Sequence, residues 1–204
     1  PYTTLFRSDN QFDLAIVDPN YGINASKGTW GSSNKGKVTN YGKKDWDNEA
    51  VKMDVLNEIF RVSKNQIIWG ANHFISQMPF DSSCWIVWDK LNSADFADCE
   101  LAWTSFDTAV RKFTFRWNGM LQQNMKNKQE RIHPNEKPVD LYRWILQNYT
   151  NPTDTILDCF GGSMSHAIAA HMERRKLTII ELDVDYFKSA LNRFDFYERQ
   201  LTLF

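Results

Sequence analysis

The sequence predicts an α/β fold: a mostly parallel sheet with helices on both faces. Three observations predict it. Short apolar runs that end in an acid, such as Leu14–Asp18 and Asp154–Asp158, read as buried parallel strands. Other segments carry apolar residues at helical spacing. The two kinds alternate along the chain without an internal repeat, which favours a sheet covered on both sides.

In order, Leu14–Asp18 reads as the first strand, with Pro19 stopping it. The stretch from Gly22 to Asp45 is rich in Gly, Ser, Asn and Lys, with five lysines against one acid, and reads as a long functional loop. Glu49–Val62 places Val51, Val55, Ile59 and Val62 on one helical face. Gln66–Gly70 and Cys84–Asp89 read as strands, and Leu101–Phe106 and Lys112–Trp117 as two more, a candidate antiparallel pair. Pro138–Tyr149 is a helix with proline in its first turn, Asp154–Asp158 a strand and Ser165–Met172 a helix. Lys176–Leu182 is a strand ending in acids, and Val184–Phe196 the last helix.

Length and composition fit one domain with one core: 204 residues, 42% hydrophobic and 24% charged. No apolar run is long enough to span a bilayer, and no signal peptide is visible. The three cysteines are far apart and lack a C-x-x-C spacing, which points to free thiols in a reducing cytoplasm. The four histidines show no ligand spacing, so no metal is expected. The net charge of −1 excludes a polycation, so any contact with nucleic acid must come from local basic patches. Pro1–Ser8, PYTTLFRS, looks like a translated frame of a sequencing adapter, so residues 1–8 are expected to be non-native and 9–204 to form the domain.

Asp158-Cys-Phe-Gly-Gly-Ser163 follows a strand and opens a helix. Glycines at such a turn let a ligand approach the backbone, and the helix N-terminus offers free N–H groups. Glu181 closes the next strand, where a carboxylate can accept hydrogen bonds from ribose hydroxyls. The pair suits an adenosine-bearing cofactor, although a purely structural turn has the same residues. The spacing is not the dinucleotide G-x-G-x-x-G, which argues against a nicotinamide dehydrogenase.

Asp18-Pro-Asn-Tyr21 is the second constellation. A base amine is a poor nucleophile because its lone pair is delocalised into the ring. Acceptors aimed at its hydrogens, the Asp18 side chain and the Pro19 carbonyl, localise that pair toward a methyl donor. Tyr21 can stack on an extruded base. In isolation the string also fits an ordinary Pro-Asn turn.

Together these residues resemble the amino-methyltransferase family of DNA methylases, which includes restriction-modification and phage enzymes. The resemblance covers nearly all of Ser8–Phe204. DPNY looks like the family's DPPY, His133–Pro138 (HPNEKP) like its HPxxKP, DCFGGS like its DxFxGSG, and IIELD ends in the expected acid. Their order matches the permuted subgroup in which DNA recognition lies between the catalytic and cofactor motifs, here an insertion around 90–133. The resemblance implies a Rossmann-like fold that uses S-adenosylmethionine. It implies catalytic roles for Asp18, Pro19 and Tyr21, and cofactor roles for Asp158, Phe160, Gly161, Gly162, Ser163 and Glu181. Lys137 is implied to close the cofactor pocket. Asp at the first motif position favours N6 of adenine over N4 of cytosine.

Two residues depart from the pattern. Asn20 replaces the second proline of DPPY, which is expected to loosen that loop. Met164 replaces the last glycine of GSG, which is expected to crowd the cofactor or open the turn. In the resembling subgroup a strand and helix precede DPPY, so an exposed sheet edge beside Lys176–Leu182 and weak cofactor binding are expected. These departures keep a second reading open, a DNA-binding remnant without methyl transfer. Methylation of cytosine N4 or of an RNA base is a third.

Between Arg111 and Arg131 stand Arg111, Lys112, Arg116, Lys126, Lys128 and Arg131 against the single acid Glu130, with Phe113, Phe115 and Trp117 interleaved. Such a ribbon suits contact with double-stranded DNA, although a strand with one core face has the same alternation. With Lys35 and Lys37 of the long loop it would clamp the duplex. The tail Gln200, Leu201, Thr202, Leu203, Phe204 resembles the QLxLF pentapeptide that docks on the replication sliding clamp, or else packs on its own domain.

Overall fold

The computed structural model describes residues 6, 8–23, 48–92, 97–117, 121–126, 128–129, 131–133 and 135–201. Lys35, Lys37, Leu203 and Phe204 lie outside the described residues, as does nearly all of the long loop. The side chains of Gln200 and Leu201 do too.

Seven strands form one sheet: β1 (Phe12–Val17), β2 (Ser63–Trp69), β3 (Trp85–Asp89), β4 (Cys99–Thr104), β5 (Arg111–Thr114), β6 (Thr155–Asp158) and β7 (Lys176–Ile179). Their order is β5-β3-β4-β2-β1-β6-β7. Four helices accompany them: α1 (Met53–Val62), α2 (Val139–Tyr149), α3 (Ser165–Met172) and α4 (Val184–Leu201). None of the described helices is long and apolar enough to cross a membrane.

β1 and β6 are interior neighbours and are buried along nearly their whole length, as their uninterrupted apolar runs require. One sheet face packs Leu14, Ile16, Ile67, Trp69, Ile86 and Trp88 against α2 and α3. The other packs Ala15, Val17, Ile68, Trp103 and Leu157 against Leu56, Ile59 and Val62 of α1. Fully burying side chains of this size contributes about 1.5–3 kcal/mol each.

Three expectations change. The pair read as antiparallel divides: β4 runs antiparallel to both β2 and β3, whereas β5 is parallel to β3. Both strands, within the stretch 90–133, belong to the central sheet. α1 starts at Met53 rather than Glu49, because Ala50 is drawn into a bridge with Tyr21. α4 continues past Phe196 to Leu201. β7 stands at one sheet edge and pairs, among the described residues, with β6 alone. In the segment read as non-native, the Phe6 ring stands edge-on to Phe12 at 5.1 Å, and its carbonyl accepts from Arg61 at 3.0 Å.

Asp13 ties the start of β1 to β6. Its Oδ2 accepts from Thr155 N at 2.9 Å and from Thr155 Oγ1 at 3.0 Å, while its Oδ1 meets Lys64 Nζ at 2.7 Å. The Lys64 and Thr155 bonds hold its carboxyl at about 2, below the ordinary 3.8. A depressed folded value means stability that is present above the unfolded value and lost as pH falls through the folded one. Asp13→Ala is therefore expected to cost about 1–3 kcal/mol at pH 7. In urea unfolding, the gap to wild type should close as pH falls from about 4 toward 2. A gap that stays constant over that range would contradict the assignment.

Candidate active site

β1 and β6 are parallel neighbours, so the loops after Val17 and Asp158 leave the same rim of the sheet. β2 and β7 run the same way and bring Gly70–His73 and Glu181 to that rim. The antiparallel strand β4 delivers its beginning there, which places Glu100 beside the loops. DPNY and DCFGGS, 140 residues apart between their first acids, thus share one rim at the carboxyl ends of the strands.

Asp18 is the hub. Tyr21 donates its hydroxyl to Oδ1 at 2.5 Å, and Lys137 Nζ lies 2.5 Å from Oδ2. Lys137 also reaches the Tyr21 hydroxyl at 3.3 Å and Glu100 Oε2 at 3.1 Å, and Glu100 pairs in addition with Lys90. The Lys137 side chain is only 3% exposed and lies over the Trp69 ring, 5.3 Å from its centroid. The sequence-based expectation placed Lys137 at the cofactor pocket; its ammonium pairs with the Asp18 and Glu100 carboxylates.

Burial raises the Asp18 carboxyl above its usual range; Lys137 opposes this and the Glu100 charge reinforces it. For Glu100 burial also acts upward, but Lys137 and Lys90 outweigh it and hold the group at about 2. Burial pushes the Tyr21 hydroxyl well up, and the Asp18 and Glu100 charges add to this, so it stays protonated and donates.

Asn20 does not leave the loop loose. Its side-chain amide donates to the Glu49 carbonyl, its own carbonyl accepts from Val51 N at 3.0 Å, and Tyr21 bridges to Ala50. Cross-loop hydrogen bonds supply the restraint that the missing proline ring would have given. Gly22 follows at φ +73°, with Ala50 N only 2.5 Å from where a Cβ would stand, so no other residue fits. The Tyr21 ring stacks on His73 at 5.0 Å and 14°.

At the second loop, Asp158 accepts from Phe160 N and pairs with the buried His166, each at 3.0 Å. Gly161 packs against Ile179 and the Ile180 carbonyl, where a Cβ would come within 3.1 Å. Gly162 takes φ +50°, and the Cβ it lacks would stand in the gap between the Phe160 carbonyl and the His133 ring. Glu181 accepts from Gly162 N at 2.6 Å and from Asp183 N at 2.7 Å, and the Leu182 backbone N–H also bonds to it. Ser163 is buried, with its hydroxyl 3.1 Å from that of Ser165 and its carbonyl bonded to Arg193. Met164 adopts a left-handed φ 56°, ψ 25°, with its side chain buried. That conformation costs an L-residue about 1–2 kcal/mol.

The basic residues divide. Arg116 follows β5 at the carboxyl rim, next to the Trp117–Gln122 bridge, with exposed Lys126 and Lys128 following and Arg131 half-buried. Lys112 pairs with Asp89 at 3.3 Å. Arg111 opens β5 beside Ile86, at the opposite rim from Asp18. The interleaved aromatics are not free to meet bases. Phe113 stacks on Phe115 and packs on Trp144 of α2, and Trp117 is buried with Nε1 bonded to the Glu136 carbonyl.

Sequence reasoning missed Gly70, His73, Lys90 and Glu100. Gly70 and His73 could have been found as the residues directly after an apolar strand. Glu100 had no such signal, because its place depends on β4 running backwards. Among the described residues, no three His, Cys, Asp or Glu side chains gather as a metal site.

A central sheet with a glycine turn after one strand and an acidic loop after its neighbour defines a Rossmann-like fold. Its architecture is that of the S-adenosylmethionine-dependent methyltransferases. The M1.HpyAVI–SAM complex is similar with a TM-score of 0.55 at 22% identity, covering 90% of each chain. The cytosine-N4-specific PvuII DNA methyltransferase is similar with a TM-score of 0.55 at 12% identity, covering 96% of this chain and 87% of that one. The family model for DNA methylases of the N6/N4 type matches residues 25–192, and the chain belongs to that family. The match takes in HPNEKP, DCFGGS and Glu181 and begins just after Tyr21.

Among curated relatives, the DNA adenine methyltransferase YhdJ of Escherichia coli (strain K12) is 38% identical over 63 residues, 31% of this chain and 21% of YhdJ. The type II methyltransferase M.PvuII of Proteus hauseri is 31% identical over 77 residues, 38% of this chain and 23% of its own length. These matches thus span about a fifth to a quarter of those relatives. The type II methyltransferase M2.MboI of Moraxella bovis is 24% identical over 226 aligned positions, covering 91% of this chain and 81% of M2.MboI.

Proposed function

We propose that this protein methylates DNA at the N6 amine of adenine, with S-adenosylmethionine as donor. The observation that carries the reading is the placement of the Asp18 carboxylate on the strand next to the Gly161–Gly162 turn, at one rim. The open turn at Gly162, where a Cβ would meet nothing closer than 3.9 Å, and the half-buried Glu181 carboxylate support a ligand that offers ribose hydroxyls. Phe160, Gly161, Gly162, Ser163 and Glu181 would hold it, with Asp158 bracing the turn. Bound there, the cofactor supplies a methyl group on a sulfonium, an electrophile for the amine lone pair.

The chain's own residues act on the amine. Asp18 and the Pro19 carbonyl accept its hydrogens, which turns the lone pair out of conjugation and toward the donor side. Tyr21 offers a ring face to an extruded base, a contact of about 1–3 kcal/mol. Arg116, Lys126, Lys128 and Arg131, with Lys35 and Lys37 of the long loop, would hold double-stranded DNA through its phosphates. Lys112 and Arg111 stand farther along β5 and would contribute less.

Asp at the first motif position supports adenine. YhdJ is named for adenine and the PvuII enzyme for cytosine N4, so relatives divide on this point. The test is incubation with isotope-labelled S-adenosylmethionine and unmethylated DNA, then mass spectrometry of the nucleosides. Labelled N6-methyladenine is the expected product. Labelled N4-methylcytosine would overturn the base assignment, and DNA binding without label in any nucleoside would favour the inactive remnant.

A further inference from the structure

Glu100 reaches the site only because β4 runs against its neighbours, so that its first residues stand at the rim of Asp18. Four charges then alternate in a line: Lys90, Glu100, Lys137, Asp18. The three donors of the Lys137 ammonium face Asp18 Oδ2, Glu100 Oε2 and the Tyr21 hydroxyl at 2.5, 3.1 and 3.3 Å. Two carboxylates thus compete for one buried cation.

Neutral groups enclose the line. Tyr21 closes it from the loop with His73 stacked behind, and Tyr142 faces it from α2, with Asp158 beyond. His133 lies near Lys137, and burial holds it uncharged, down at about 3. With little water present, the division of the Lys137 charge between Asp18 and Glu100 sets how strongly Asp18 can accept a further hydrogen bond. A Lys137 fully committed to Asp18 would leave a poor acceptor; one drawn toward Glu100 leaves a better one.

We propose that Glu100 is a positioning residue for methyl transfer, acting through Lys137 to hold Asp18 as a strong acceptor for the base amine. This rests on the reading of Asp18 given above. Lys90 sets the strength of the effect by claiming part of Glu100.

The test titrates the carboxyl carbon of Asp18 by NMR in the full chain, with the signal assigned by Asp18→Asn, and measures kcat and cofactor Kd on the same proteins. Glu100→Gln is expected to lower the Asp18 midpoint by about one pH unit. It should also reduce kcat about tenfold with the Kd for S-adenosylmethionine unchanged, since a tenfold loss is one pH unit's worth of interaction. Lys90→Gln frees Glu100 to draw harder on Lys137 and should move the midpoint the other way. A merely structural role would not give opposite shifts. An Asp18 midpoint unmoved in Glu100→Gln, or moved with kcat unchanged, overturns the proposal. Should Glu100→Gln fail to fold, the absence of an upward shift in Lys90→Gln overturns it. No methyl transfer by the wild-type protein defeats the proposed function and this role with it, while the titration still separately reads the coupling.

Discussion

Asp18→Ala is expected to lower the rate of methyl transfer about a thousandfold, the loss seen when a preorganised polar partner of a reacting group is removed. The carboxylate lies at the head of the loop, with Tyr21 on one oxygen and Lys137 on the other. Alanine removes the acceptor for the amine and frees the two groups that held it. The glycine turn after β6 bonds to Glu181 rather than to Asp18, so cofactor affinity should change by less than about threefold, under 1 kcal/mol. Breaking a buried ion pair also costs stability, about 3–5 kcal/mol when the surviving charge has no second partner. Here Glu100 remains beside Lys137 at 3.1 Å, so the loss should fall below that range. Asp18→Asn keeps a carbonyl acceptor and should fall between wild type and alanine. Single-turnover rates at saturating cofactor, the cofactor Kd and melting temperatures check these expectations. A rate in Asp18→Ala within tenfold of wild type would remove Asp18 from the reaction.

Gly70→Ala is expected to damage the site by driving a methyl group into the Tyr21 ring. Gly70 sits at φ +67°, and a Cβ there would fall 2.0–2.4 Å from three carbons of the Tyr21 ring. The left-handed backbone alone costs about 1–2 kcal/mol, and overpacking typically adds about 1–3 kcal/mol. The ring can escape only by leaving its seat on His73 and its bond to Asp18, so a fall of about a hundredfold in kcat is expected, equal to about 2.7 kcal/mol. The double variant with Tyr21→Ala isolates the cause, because the clash then has no partner. Its stability loss from Gly70→Ala should drop to the backbone cost. An equal loss in both backgrounds would show that Tyr21 is not what the methyl meets.

The two departures from the family pattern show how structure qualifies a motif. Asn20 reads as a loss of stiffness when only the proline is considered. Its hydrogen bonds to Glu49 and Val51 depend on a segment about thirty positions away folding back across the loop. Met164 reads as an obstruction; it takes a left-handed backbone and buries its side chain. In each case the residue type was visible, and its surroundings were not.

The aromatic–basic ribbon teaches the reverse. Alternation along β5 is equally the mark of a nucleic-acid surface and of a strand with one buried face. Trp144 of α2 decides between them by covering Phe113.

Strand order along the chain, the glycine turn after β6, the acid closing β7 and the DPNY loop after β1 were all determined by the sequence itself. Each is local: a run of apolar residues, a glycine or a proline acts within a few positions of where it stands. Only the tertiary structure decided that β4 runs backwards, that Lys137 pairs with Asp18, and that Glu100, Gly70 and His73 stand beside that pair. Those outcomes depend on which strands become neighbours, and on buried charges that must find partners once water is excluded. The spacing of residues along one chain records neither.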